Sequence, residues 1–132
     1  MVPIIYSDEF LAHDTGRFHP ERPERLTAIV EALKVAPWAE KLSWELPTPV
    51  EKRSPLPLVQ KIHSSNYIEL VEAIATSGGG YLDGDTPVSA RSYAIALLAV
   101  SAWIDGIDRV VSSGSPAFVL ARPPGHHAES VR

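Results

Sequence analysis

The sequence predicts an α/β fold with a mostly parallel sheet. Three observations carry that prediction. Short apolar, strand-like runs stand near both ends of the chain, at Val2–Tyr6 and Ala117–Leu120. Between them the order reads strand, helix, strand, helix, helix, helix, strand, which places helices on the faces of a sheet. The 132 residues are 45% hydrophobic and 21% charged, enough apolar side chain for one packed core and too little charge for disorder.

Val2–Tyr6 is apolar and β-branched, the composition of a buried strand. Ser7 to Arg22 reads as a loop rich in His, Pro and charge. Pro23 suits the first turn of a helix, on which Leu26, Ile29, Val30 and Leu33 share one face, and Pro37 ends it. Leu42–Leu46 alternates apolar and polar residues and predicts a second strand. Pro47 to Pro57 holds four prolines and reads as a connector. Leu58–Ile62 predicts a short helix. Ser64 or Ser65 can cap the next one, where Tyr67, Leu70, Val71 and Ile74 mark the packed face and Ser77-Gly78-Gly79-Gly80 stops it. Tyr81–Pro87 reads as a polar loop. From about Ser89 to Val111 runs a long Ala-rich helix. Its apolar positions are Tyr93, Ala96, Leu97, Val100, Ile104 and Ile107, with Ile95, Leu98 and Ala102 on a second face. Apolar around much of its circumference, it is expected to be largely buried. Ser112–Ser115 turns the chain into the final strand.

Composition excludes several classes of function. The net charge is −4 and no Lys/Arg cluster occurs, so a basic nucleic-acid-binding face is not expected. Cysteine is absent, which removes disulfides, thiolate nucleophiles and Cys-zinc sites together. Met1–Asp8 has no basic n-region and few apolar residues before its acid. It resembles neither a signal peptide nor a membrane span, so no membrane partner and a cytoplasmic location are expected.

The chemistry concentrates in Ala121-Arg122-Pro123-Pro124-Gly125-His126-His127-Ala128. Adjacent histidines follow a rigid turn at the carboxyl end of a predicted strand, the place where α/β enzymes present reacting groups. An imidazole can ligate a metal, act as a general base or bridge hydrogen bonds. Neighbouring loop residues chelate one ion less readily than a helical i, i+4 pair. The stronger functional reading is therefore an acid–base pair flanking a reacting water; the plainer one is a satisfied loop histidine beside an exposed one. Arg122 is expected to brace the loop backbone or to pair with an acid.

Arg122 to Ala128 resembles the active-site motif of the zinc-dependent histone deacetylase superfamily, in particular its bacterial deacetylases, acetylpolyamine amidohydrolases and acetoin-utilisation-like members. Further stretches resemble the family in the same order. His19-Pro20-Glu21-Arg22-Pro23-Glu24-Arg25-Leu26 is similar to its first active-site loop. Ile62-His63-Ser64-Ser65-Asn66-Tyr67-Ile68 is similar to a helix start, and Asp83-Gly84-Asp85-Thr86-Pro87 before an Ala-rich helix is similar to its next loop. The resemblance implies a three-layer arginase/deacetylase-like fold. Residues 1–132 are then expected to be the incomplete N-terminal portion of a single catalytic domain.

The same resemblance implies hydrolysis of an N-acetyl or other acyl amide, such as acetyl-lysine or an acetylpolyamine. It implies His127 as the general base that deprotonates a zinc-bound water and later protonates the leaving amine. His126 becomes a second imidazole stabilising charge. Asp85 resembles a rim aspartate that contacts the substrate backbone or amine; a turn residue or helix cap is its structural alternative. Arg25 resembles an arginine lining the internal cavity through which acetate leaves, with a solvated helix residue as its alternative. Gly125 joins them as substrate-binding. His63 and Tyr67 are expected to be structural, and His13 and His19 to pack or to shape the rim, with metal binding as their lesser alternative. In the family the zinc ligands (two aspartates and a histidine) and the oxyanion tyrosine arrive after the His-His loop, so no metal ligand is assigned in this chain. Zn2+ is expected for the complete domain. The isolated chain is expected to be inactive, with a non-catalytic oligomerisation or binding module as the alternative function. A homo-oligomer or a complementary C-terminal segment is expected to cover the bare sheet edge. An arginase-like hydrolase fits the Pro-Pro-Gly-His-His motif less well.

Overall fold

The computed structural model describes residues 1–132. Its sheet is parallel and short: β1 (Val2–Ile5) lies between β2 (Leu42–Glu45) and β5 (Phe118–Val119). Val2 pairs with Leu42 and Ile5 with Glu45, while Ile4 pairs with Phe118 and Ile5 with Val119. Ile4 and Ile5 point to opposite faces yet are 2% and 1% exposed, the burial expected of a central strand covered on both sides.

The chain leaves β1 through a five-residue 3-10 helix at Asp8–Ala12, within the segment expected to be a loop. Two features explain it. The Ser7 hydroxyl caps the turn by accepting from the Glu9 amide at 3.1 Å, and Phe10 is fully buried in the core. Helix α1 (Glu24–Lys34) follows Pro23 and buries Leu26 and Val30 as its period predicts. Helix α2 (Leu56–Val59) lies earlier than the Leu58–Ile62 expected, because Pro55 and Pro57 fit its first turn, where an amide is not needed. Helix α3 (Ser65–Thr76) is capped by Ser64, whose hydroxyl accepts from the Tyr67 amide at 3.2 Å. Its packed face runs through Tyr67, Ile68, Val71, Ile74 and Ala75, leaving Leu70 50% exposed.

The stretch expected to be a glycine stop and a polar loop is instead a hairpin. Strand β3 (Gly79–Asp83) pairs antiparallel with β4 (Thr86–Ser89) and packs on α3. Gly79 permits the pairing: its φ is +130°, and a Cβ there would stand 2.8 Å from the Val88 carbonyl oxygen. Pro87 is tolerated because a two-stranded ribbon is all edge.

Helix α4 (Ser92–Ser113) is the central packing element. It buries Ile95, Leu98, Ala99, Ala102 and Gly106, so the second face of the sequence pattern is the core face. The expectation of a largely buried helix is corrected: Trp103 is 57%, Ile107 59% and Val111 80% exposed. Small residues let α4 approach the sheet closely. A Cβ on Gly106 would lie 2.5 Å from Val119 Cγ2. The proline connector docks on the same helix. Asp105 accepts from the Thr48 amide at 2.6 Å, the Thr48 hydroxyl at 2.8 Å and Arg53 Nη2 at 2.6 Å. One core thus joins β1, Phe10, α1, α4 and Leu120, and Leu120 lies six residues before the first of the paired histidines.

Candidate active site

Strand β5 runs into buried Leu120, whose amide donates to the Ile5 carbonyl at 3.0 Å. Two residues later comes Arg122, a guanidinium only 1% exposed. A buried cation needs every donor satisfied. Nε donates to Glu21 Oε1 at 3.0 Å and Nη2 to Glu21 Oε2 at 2.8 Å, a bidentate fork. Nη1 donates to the Phe10 carbonyl at 2.9 Å and to the His13 carbonyl. Arg122 therefore does both things expected of it, bracing loop backbone and pairing with an acid. The Arg122–Pro123 peptide bond is cis.

The first loop is organised around this arginine. His13 is buried, and its Nδ1 lies 2.6 Å from the Ser92 hydroxyl at the start of α4. Desolvation, then the nearby Arg122 charge, pull its pKa from 6.5 down to about 4, so the ring is neutral at ordinary pH. His13 packs, as expected. His19 does more than shape a rim. Its Nε2 meets the Asp85 carbonyl at 2.9 Å, and a carbonyl can only accept, so Nε2 carries the proton. Nδ1 then accepts from the Glu21 amide at 3.0 Å. The ring thus ties the first loop to the β3–β4 turn.

Asp85 sits in that turn with its side chain exposed. Its amide donates to Asp83 Oδ1 at 2.9 Å, and the Thr86 hydroxyl donates to the same oxygen at 2.8 Å. These bonds hold the Asp83 carboxyl below the usual carboxylate range. Asp83, not Asp85, is the turn-forming aspartate, which leaves the Asp85 carboxylate pointing to solvent. Arg25, in the first turn of α1, is also exposed; its Nη1 meets Glu21 Oε1 at 3.4 Å.

Gly125, His126 and His127 are exposed. The two imidazoles stand 4.2 Å apart between ring centroids, tilted by 54°, close enough to act on one reacting molecule. The Ala128 amide donates to the Gly125 carbonyl at 3.0 Å, and the Ser64 amide to the Ser130 carbonyl at 2.8 Å, so the tail lies against the start of α3. There the His63 and Tyr67 rings pack on each other with centroids 5.1 Å apart, tilted by 38°, while the buried His63 Nδ1 has no hydrogen-bond partner, so the pair packs without tying the helix start to a loop. Burial, more than the neighbouring Asp83 charge, raises the Tyr67 pKa.

The structure does not join His126 or His127 directly to Asp85 or Arg25. It joins their supports. Glu21 bonds Arg122 and Arg25 through its carboxylate, and through its amide it reaches His19 and so Asp85. Glu21 has no role among the residues expected from the sequence. Its only local signal was i, i+4 spacing to Arg25. No group of three or more His, Cys, Asp or Glu converges on a point a metal could occupy. The residues present thus do not form a metal cage. Nor does any helix reach the length and apolarity needed to cross a membrane.

Comparison with known proteins sets this geometry in context. The histone deacetylase domain profile matches residues 19–132. An uncharacterized protein of Synechocystis is 53% identical over 128 residues, covering 97% of this chain and 42% of the relative. A probable deacetylase of Archaeoglobus fulgidus is 32% identical over 127 residues, covering 96% of this chain and 34% of the relative. The crystal structure of the HDA15 HD domain superposes with a TM-score of 0.79 at 26% identity, over 97% of this chain and 37% of that one. The chain spans less than half the length of each.

Proposed function

The chain belongs to the histone deacetylase domain family, and we propose that it carries the proton-transfer groups of a deacetylase that hydrolyses an N-acetylated amine. One observation carries the reading: paired, exposed imidazoles mounted just beyond a buried, four-bonded arginine at the end of a parallel strand. Amide hydrolysis needs a proton taken from water and a proton given to nitrogen, and imidazole does both near neutral pH. His127 takes the first role and returns the proton to the leaving amine. His126 stabilises charge on the attacking side. Gly125, lacking a side chain, leaves space beside them, with nothing within 4 Å of where a Cβ would stand. The exposed Asp85 carboxylate suits a cationic or amide-bearing substrate at the rim, of the acetyl-lysine or acetylpolyamine class. Arg25 suits the released carboxylate.

Family membership brings a metal cofactor into the proposal, and zinc is the ion we propose. Because these side chains form no cage, its ligands are proposed to lie outside the 132 residues, and no step is assigned to a metal held by this chain. The isolated chain is accordingly proposed to be inert, and a cytoplasmic location is proposed with it. A second reading, a non-catalytic association module, draws support from apolar surface: Phe118 on β5 is 45% exposed, and Trp103 and Ile107 on α4 are bare. A complementary segment or a second copy is the proposed occupant.

Native mass spectrometry with an acetyl-lysine peptide assay tests these readings together. The expected result is a chain without bound zinc and without turnover, alone or self-paired. Zinc-dependent turnover by the isolated chain, abolished in His127→Ala, would overturn the proposed inertness while upholding the role of His127.

A further inference from the structure

We propose that Glu21 is the positioning residue of this site, holding the His126–His127 loop, Arg25 and the Asp85 turn in one fixed relation. The inference rests on the site reading above and adds a residue that reading does not use. Three connections meet at Glu21. Its carboxylate takes the Arg122 fork at 3.0 and 2.8 Å, which fixes the chain four residues before His126. Oε1 is shared with Arg25 Nη1 at 3.4 Å. The Glu21 amide donates to His19 Nδ1 at 3.0 Å, and that ring donates onward to the Asp85 carbonyl at 2.9 Å. Glu21 is itself held from behind, because the Thr15 hydroxyl donates to its carbonyl at 2.5 Å.

Fold stability alone does not require this arrangement. Burying an ion pair removes two charges from water, and a packed apolar pair of similar volume commonly stabilises a fold as well or better. An apolar pair has no direction. The Arg–carboxylate fork is planar and bidentate, so it fixes orientation as well as distance. Its other guanidinium nitrogen is committed to the Phe10 and His13 carbonyls, which leaves Arg122 no second arrangement that keeps its donors satisfied. The direction is passed to the groups that the site reading uses.

The test is backbone and arginine 15N relaxation on the 132-residue chain in three variants. Glu21→Gln keeps the shape and removes the charge. Glu21→Asp keeps the charge, withdraws the carboxylate by one methylene and serves if the first variant does not fold. Asp105→Asn is the structural control: its side chain is 17% exposed against 16% for Glu21, and it too pairs with an arginine, but at the proline connector. Expected is a fall in order at Gly125, His126 and His127, from a rigid-backbone order parameter of about 0.85 towards about 0.6, in either Glu21 variant. The Arg25 Nε–H resonance should broaden with it. Asp105→Asn should lose stability and leave these signals unchanged. Unaltered order in the folded Glu21 variants, or equal disorder in the control, overturns the proposal. Failure of the deacetylase reading would appear in turnover and leave these relaxation data untouched, so the two failures are distinguishable.

Discussion

Replacing Gly106 by alanine probes how the fold delivers β5, and with it the histidine loop. A Cβ at this position would stand 2.5 Å from Val119 Cγ2 and 3.8 Å from Ile5 Cδ1. Carbon atoms pack best at about 3.5–4.0 Å, so the first contact overlaps by about 1 Å. Val119 yields poorly, since a β-branched side chain has few χ1 choices and its backbone is paired with Ile5. Overpacking of this kind costs about 1–3 kcal/mol. The gain in helix propensity from Gly to Ala offsets about 1 kcal/mol. Net destabilisation of about 1 kcal/mol is expected, reaching about 2 if α4 cannot slide. Truncating Val119 to alanine removes the clashing methyl, and in that background Gly106→Ala should stabilise by up to about 1 kcal/mol. Urea unfolding followed by far-UV circular dichroism gives the four free energies of the cycle, with m-values as a check on two-state behaviour. A Gly106→Ala chain as stable as the parent, or an alanine effect independent of Val119, would refute the close-approach argument.

Three further outcomes follow from the structure. Because folding lowers the His13 pKa to about 4, the unfolded chain binds the extra proton between there and 6.5. Stability from the neutral ring is intact above about pH 6.5 and is lost as pH falls towards 4, by about 3 kcal/mol in total. His13→Asn should flatten that part of the urea-midpoint profile. Ser64→Ala removes the α3 cap and should cost about 1 kcal/mol, read as a lower thermal midpoint with helix content lost first near Ser65. Zinc added to the isolated chain should leave Tm unmoved; binding at 100 times Kd would add about 2.7 kcal/mol and raise it.

Much of the fold was legible because its signals are local. Strands β1 and β2, the α1 stripe and the Ser64 cap each depend on neighbours within a few residues. The β3–β4 hairpin had no comparable signal: its two loop residues, Gly84 and Asp85, are not the Asp-Gly or Asn-Gly pair that marks a tight hairpin, and neither has a positive φ. It was hidden by Pro87 and by strands too short and polar to show alternation. The core face of α4 was misjudged because its Ala-rich sequence is apolar nearly all round, and only packing against Val119 and Ile5 selects the Gly106 side. At the site, the paired histidines and the bracing role of Arg122 were readable from the Pro-Pro-Gly setting. Glu21 was not, because it meets Arg122 across 101 residues of sequence, and no local pattern encodes such a contact. The His19 link to Asp85 escaped for the same reason, spanning 66 residues.

The role of His127 is tested by N-acetyl-lysine hydrolysis in a chimera in which this chain replaces the matching segment of the Synechocystis relative. The parent relative and His126→Ala and His127→Ala versions of the chimera are measured alongside. Zinc-dependent turnover is expected in parent and chimera, with kcat/KM reduced by about 10²–10⁴ in His127→Ala, the usual contribution of a general acid–base. A folded chimera that turns over undiminished without His127, or that is inert where the parent is active, would contradict this expectation.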